Sequence, residues 1–251
     1  MANAFAGYCL ITGAAGGIGR ELVRVFSNSG YKVIAVDRNP PADALDCHAW
    51  YEFDLSLLAT SESAACDFFA KVRTDIQGSG LAVLINNAAI QILGGVDSLK
   101  REDWKQTLDI NLLAPFYLTQ GMLEELETAK GSVVNISSIH ARLTKKNFVA
   151  YATSKAALSA LSRAMALDLG DRVRVNAIEM GAIETEMLFA GFQDDLESLN
   201  ELKNCHPLGR IGSPSEVAKL ALMLSSVEFE FIHGACISMD GGISARLHDP
   251  K

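Results

Sequence analysis

The chain has 251 residues, 49% of them hydrophobic and 21% charged, with a formal net charge of −8. That length fits one α/β domain that buries roughly three quarters of its unfolded surface and needs no disulfide or metal to hold it together. The acidic balance argues against nucleic acid as a partner, because neutralising phosphates needs clustered Lys and Arg.

Cys9, Cys47, Cys66, Cys205 and Cys236 are scattered, with no CxxC or zinc-like spacing, so no metal is expected and a reducing compartment is. Residues 1–7 lack the basic-then-apolar pattern of a signal peptide, and no run approaches the ~18 apolar residues of a membrane helix. The expected location is the cytosol.

Short apolar runs alternate with longer helical patterns. Residues 8–12 read as the first strand. Residues 17–29 read as the first helix, with Ile18, Leu22, Val25 and Phe26 on one face and Gly30 as its stop. Further strands are expected at 32–37, 49–54, 81–86, 131–137, 172–178 and 235–239, and further helices at 61–76, 100–127, 150–169 and 214–225. Several strands are apolar on both parities, as parallel strands covered by helices on both faces require. The expected fold is α/β: a single Rossmann-type doubly wound domain over 1–251, its seven-stranded parallel sheet flanked by helices. Residues 181–212 form the longest irregular stretch and suggest a substrate lid.

Between the first strand and the first helix runs Thr12-Gly13-Ala14-Ala15-Gly16-Gly17-Ile18-Gly19. Its glycines let the backbone turn tightly and approach a ligand, and the helix N-terminus behind it offers free N–H groups to a pyrophosphate. Asp37 closes the second strand, where a carboxylate accepts hydrogen bonds from ribose hydroxyls and repels a 2′-phosphate. NAD is therefore expected rather than NADP. Arg38 reads as a surface charge or a face stacked over adenine; the other reading is a 2′-phosphate anchor.

These motifs, with those that follow, resemble the classical short-chain dehydrogenase/reductases over essentially the whole chain. Thr12 to Gly19 is similar to that family's cofactor loop, and Asp54-Leu55 to its acidic pair beside adenine. Asn86-Asn87-Ala88-Ala89 resembles its Asn-Asn-Ala-Gly element, with Ala89 in place of Gly. Asn111, Ser138 and Tyr151-Ala-Thr-Ser-Lys155 match its catalytic Asn, Ser and Tyr-x-x-x-Lys. Pro207-Leu-Gly-Arg-Ile-Gly-Ser-Pro214 and Asp240-Gly-Gly242 match further family elements.

The resemblance implies cofactor contacts at Gly13, Ala15, Gly17, Ile18, Gly19, Asp37, Arg38, Asp54, Leu55, Asn87, Ala88, Ala89, Tyr151, Lys155, Gly181 and Ile183. It also implies Thr185 beside the nicotinamide carboxamide. Gly16 stands where NADP-preferring members often carry a basic residue. One departure is Met180-Gly181, where the family usually has Pro-Gly.

The implied activity interconverts a secondary alcohol and a carbonyl by hydride transfer. An unperturbed Tyr has a pKa near 10, and a neighbouring cation lowers it. Tyr151 and Lys155, four apart on a helix, share a face, so Lys155, together with the positive nicotinamide of NAD⁺, is expected to depress the Tyr151 pKa. Ser138 would polarise the substrate oxygen; Ser137 is its rival, and spacing to Tyr151 favours Ser138. Asn111 either positions a water in a proton relay, as the resemblance implies, or simply kinks its helix.

His140 is a candidate substrate contact. Arg142, Lys145 and Lys146 read as a solvated loop or as a basic patch for an acidic substrate. Met187, Leu188, Phe189 and Phe192 would wall the site or pack the lid, and Asp194, Asp195 and Glu197 look like a solvated helix start. The resemblance implies a homotetramer (or homodimer). Two other functions remain open: an NADPH-dependent 3-oxoacyl-[acyl-carrier-protein] reductase, disfavoured by Asp37, and a non-catalytic nucleotide sensor or scaffold.

Overall fold

The computed structural model describes residues 6–192 and 195–247. Most of the N-terminal segment read above, and Asp194 of the lid, lie outside them.

The chain forms β1 (Gly7–Thr12), α1 (Gly17–Asn28), β2 (Tyr31–Asp37), β3 (Ala49–Glu52), α2 (Leu57–Thr60), α3 (Glu62–Ile76), β4 (Val83–Asn86) and α4 (Arg101–Leu108). A π turn (Asp109–Leu113) leads into α5 (Ala114–Gly121), then α6 (Leu123–Thr128), β5 (Ser132–Ser138) and α7 (Val149–Leu169). β6 (Arg174–Met180), α8 (Glu186–Ala190), α9 (Leu196–Cys205), α10 (Pro214–Ser225) and β7 (Cys236–Met239) complete it.

Among the described residues seven strands form one parallel sheet in the order β3-β2-β1-β4-β5-β6-β7. Alternate residues of each central strand feed two cores. Leu10, Ile34, Val36 and Val133 pack against α3, α5 and α7 through Phe68, Leu118 and Met165. Ile11, Val33, Ala35 and Val134 pack against α1 and α10 through Leu22, Phe26 and Val217. Burial on both faces is why these strands are apolar on both parities. Strand order reverses between β1 and β4, which opens a crevice at their C-terminal ends.

Three expectations are corrected. The helix expected over 100–127 is broken at the π turn and again at Met122. Pro115 has no N–H to give the α-helical bond to the Asn111 carbonyl, so the helix widens there. The third strand stops at Glu52, and Asp54 instead caps a turn by accepting from the Ser56 N–H at 2.9 Å. The 181–212 stretch is not irregular: it carries α8 and α9, and its neck is closed where Gly212 N–H donates to Ala182 O and Glu184 N–H to Gly212 O, both at 2.9 Å.

β5 takes in Ser138, and β6 runs two residues beyond the expected 178 to pair Met180 with Ser138 and Met239.

Candidate active site

A cavity of about 730 Å³ lies along the C-terminal ends of the central strands, from Asp37 and Arg38 at one end to His206 and Ile243 at the other. Gly13, Ala15, Gly17, Ile18, Gly19, Asp54, Leu55, Asn87, Ala88, Ala89, Gly181, Ile183 and Thr185 all line it.

The glycine loop is folded tightly on itself. Gly13 has φ +64°, and a Cβ on Gly19 would sit 2.0 Å from the Gly13 carbonyl oxygen. The Thr12 hydroxyl clasps the loop to the β4 end: it accepts from the Asn87 and Ala88 N–H groups at 3.0 and 3.1 Å and donates to Ile85 O at 3.3 Å. The Asn87 amide donates back to Thr12 O and Gly13 O at 2.9 and 3.1 Å. Asp37 is held at the β2 end, accepting from Ala15 N–H and Asn39 N–H, each at 3.1 Å. Each carboxylate oxygen keeps a lone pair for a further donor.

Ser138, Tyr151 and Lys155 meet on the cavity wall. Strand alternation separates the two serines. Ser137 turns into the core, bonded to Lys155 O and Ser159 Oγ at 3.1 and 2.9 Å, while Ser138 hydrogen-bonds the Tyr151 hydroxyl. Lys155 is almost fully buried; its Nζ donates to Ile136 O at 2.7 Å and lies 5.8 Å from the Tyr151 ring centre.

In the free chain burial pushes the Tyr151 hydroxyl up to about 12 despite the Ser138 bond, and burial pulls Lys155 down to about 8. Desolvation disfavours both charged forms, so each group keeps its neutral form over a wider range.

Asn111 does not line the cavity. Its amide accepts from Ile90 N–H at 2.9 Å and donates to Ile90 O and Ser154 Oγ at 2.9 and 3.0 Å, and Ser154 Oγ donates to Tyr151 O at 2.7 Å. It therefore ties the π turn to the β4 loop and to the turn of α7 that carries Tyr151.

The basic run after Ser138 is split up. His140 stacks on Phe148 (4.6 Å between centres) with its edge toward Tyr151 and lines the cavity; burial and the nearby Lys145 pull it down to about 4. Arg142 is engaged elsewhere, paired with buried Glu179 at 2.7 Å and bonded to Ser238 Oγ. Lys145 lies over the Phe148 ring at 4.7 Å. Met187, Leu188 and Phe192 of the lid line the cavity, whereas Phe189 does not, and Asp195 caps α9 through Ser198 N–H. Sequence reasoning assigned no role to Ser154, Phe148 and His206.

The chain matches the family model described as Enoyl-(Acyl carrier protein) reductase over residues 13–244. The chain belongs to the short-chain dehydrogenase/reductase family. It is 34% identical over 248 residues to Protein FixR of Bradyrhizobium diazoefficiens, covering 93% of this chain and 85% of that protein. It is 32% identical over 249 residues to D-threitol dehydrogenase of Mycolicibacterium smegmatis, covering 94% and 92%. The solved structure of Thermoplasma acidophilum aldohexose dehydrogenase in ligand-free form superposes with a TM-score of 0.90 at 30% identity, covering 98% of this chain and 97% of that one. Membership makes this chain an oxidoreductase that acts on CH–OH groups with a nicotinamide dinucleotide. Among the described residues no helix is long and apolar enough to cross a membrane.

Proposed function

We propose that this chain is an NAD(H)-dependent dehydrogenase of secondary alcohols, reducing the corresponding ketones in reverse, with Tyr151 as its general acid and base. The convergence of Ser138, Tyr151 and Lys155 on one cavity that continues to Asp37 carries this reading.

The cradle suits a dinucleotide. Gly17 has an open face toward the cavity, with Thr185 as its nearest neighbour at 3.4 Å from a built Cβ. The start of α1 presents its N–H groups there. When bound, the nicotinamide supplies or accepts the hydride. Gly13, Gly17, Ile18 and Gly19 would hold the pyrophosphate; Asp54, Leu55 and Ala89 would flank the adenosine half, and Gly181, Ile183 and Thr185 the nicotinamide half. Asp37 would accept from both ribose hydroxyls, and its charge would repel a 2′-phosphate, which is the support for NAD; Arg38 would stack beside it.

In reduction the Tyr151 hydroxyl gives its proton to the carbonyl oxygen while the Ser138 hydroxyl holds that oxygen. Lys155, as an ammonium, favours the phenolate that remains and holds ribose hydroxyls. We assign Asn111 a positioning role, through Ser154 and the Tyr151 carbonyl. The 181–212 segment acts as the lid of a single domain, the active form is a homotetramer, and five free cysteines fit a reducing cytosol.

The test is the nicotinamide absorbance change with NADH, then NADPH, across ketones, sugars, keto acids and acyl thioesters. Turnover with NADH is expected, falling about 10²–10⁴-fold in Tyr151→Phe. Asp37→Ala should weaken NADH more than NADPH. Turnover of acyl thioesters with NADPH alone would instead support the acyl-carrier-protein reductase. Tight NADH binding with no turnover would support the nucleotide sensor.

A further inference from the structure

Four buried side-chain polar atoms lack a hydrogen-bond partner among the described residues: Asn86 Oδ1, Ser132 Oγ, Glu179 Oε2 and His206 Nε2. Glu179 Oε2 is ion-paired with Arg142 at 2.7 Å. Of the four residues, His206 lines the cavity and the other three do not.

His206 is 97% buried on this count, with 3% of its surface exposed. Its Nδ1 lies 2.8 Å from the Leu202 carbonyl oxygen. A carbonyl accepts and never donates, so Nδ1 carries the hydrogen and Nε2 of the neutral ring is an acceptor. Two glycines pack against the ring. A Cβ on Gly181 would come within 3.3 Å of Nε2, and one on Gly241 within 3.3 Å of Cδ2.

Gly181 directly follows Met180, the ladder partner of Ser138. Neighbouring strands are about 4.8 Å apart, so His206 belongs to the end of the cavity that holds Ser138 and Tyr151, far from Asp37. The same end offers Ser138, His140, Lys145 and Glu186 as polar groups and Met187, Leu188 and Phe192 as apolar wall. That pattern suits a molecule with several hydroxyls and C–H faces between them.

We propose that His206 is a specificity-determining residue whose Nε2 accepts a hydrogen bond from a substrate hydroxyl other than the one oxidised. The preferred substrate is then a polyol or hydroxyketone rather than a monohydroxy alcohol. This rests on the secondary-alcohol reading above. A substrate that lacks the second hydroxyl leaves a buried acceptor unpaired, and such gaps are discriminated against strongly.

The test compares substrates that differ by one hydroxyl, 2,3-butanediol against 2-butanol and D-threitol against 1,2,4-butanetriol, in the wild type, His206→Phe and His206→Gln. The wild type should favour the fuller hydroxyl set by about tenfold or more in kcat/KM. His206→Phe should abolish that preference through KM while leaving the poorer substrate of each pair within about twofold, and His206→Gln, which keeps an acceptor, should restore part of it. An unchanged preference in His206→Phe, or an equal fall for both members of a pair, would overturn the assignment and make the imidazole a packing group at the end of α9. Absence of any wild-type turnover would sink the dehydrogenase reading itself and the assignment with it. A thermal melt with and without NADH separates misfolded variants from folded ones.

Discussion

To reduce a carbonyl, Tyr151 must enter as a phenol and Lys155 as an ammonium, and both conditions are lost as pH rises. Burial sets which is lost first. It raises Tyr151 to about 12 and lowers Lys155 to about 8, so the lysine charge goes long before the phenol ionises. The kcat/KM for ketone reduction, which at saturating NADH reports the enzyme–NADH complex before ketone binds, should therefore be flat below pH 8 and decline above it with the charged fraction of Lys155. His140, held down to about 4 by burial, should add no limb in the neutral range. A pH–rate profile measured with saturating NADH and limiting ketone checks this. A plateau extending to about pH 10 would remove the Lys155 charge from the reaction.

At the scale of elements, the glycine loop separates two jobs that the sequence pattern runs together. Gly19 packs against backbone: its Cβ would overlap the Gly13 carbonyl oxygen at 2.0 Å. Gly17 meets nothing closer than Thr185 at 3.4 Å, an ordinary contact. Gly19→Ala should therefore destabilise the fold by about 1–3 kcal/mol, each kcal/mol lowering Tm by roughly 2–4 °C. Gly17→Ala should leave Tm unchanged while weakening NADH, since its methyl would project where the pyrophosphate is placed; melting and fluorescence titration of both variants separate the two effects. The start of α10 falls where expected, at Pro214, and the structure closes a capping box there, with Glu216 Oε2 accepting from Ser213 N–H at 2.8 Å and Arg210 gripping the same carboxylate. The break in the 100–127 helix was legible only in part: Pro115 stands in the sequence, but the pairing of Asn111 with Ile90 and Ser154 that holds the widened turn exists only once the fold is formed. Asp37 stood out because a carboxylate at a strand end suits a ribose, whereas Tyr151, Lys155 and Ser138 stood out through their resemblance to the family's motif. His206 did not, because a lone imidazole means nothing until Leu202 and Gly181 are brought to it.

At the scale of the molecule, β7 is an edge strand with one neighbour, and the chain around it is apolar where it meets solvent. Phe231 is fully exposed just before β7, Val227 nearly so, and Leu167 projects from the end of α7. The His233 ring brings these segments together, donating to Ala166 O at 2.7 Å from Nε2 and accepting from Val175 N–H at 3.1 Å on Nδ1. An exposed apolar edge of this kind invites association, and the proposed homotetramer would cover it with the same edge of a second copy. In a two-fold contact each substitution counts twice. Burying a Phe side chain is worth about 1.5–3 kcal/mol, so losing two should weaken the pair by at least a hundredfold. Phe231→Glu, which adds like charges facing across the axis, is expected to shift sedimentation velocity from tetramer to a smaller species at micromolar concentration without altering the melting of the individual chain. A wild type that sediments as a monomer would remove the tetramer. A wild-type tetramer that survives Phe231→Glu would place its interfaces on another face.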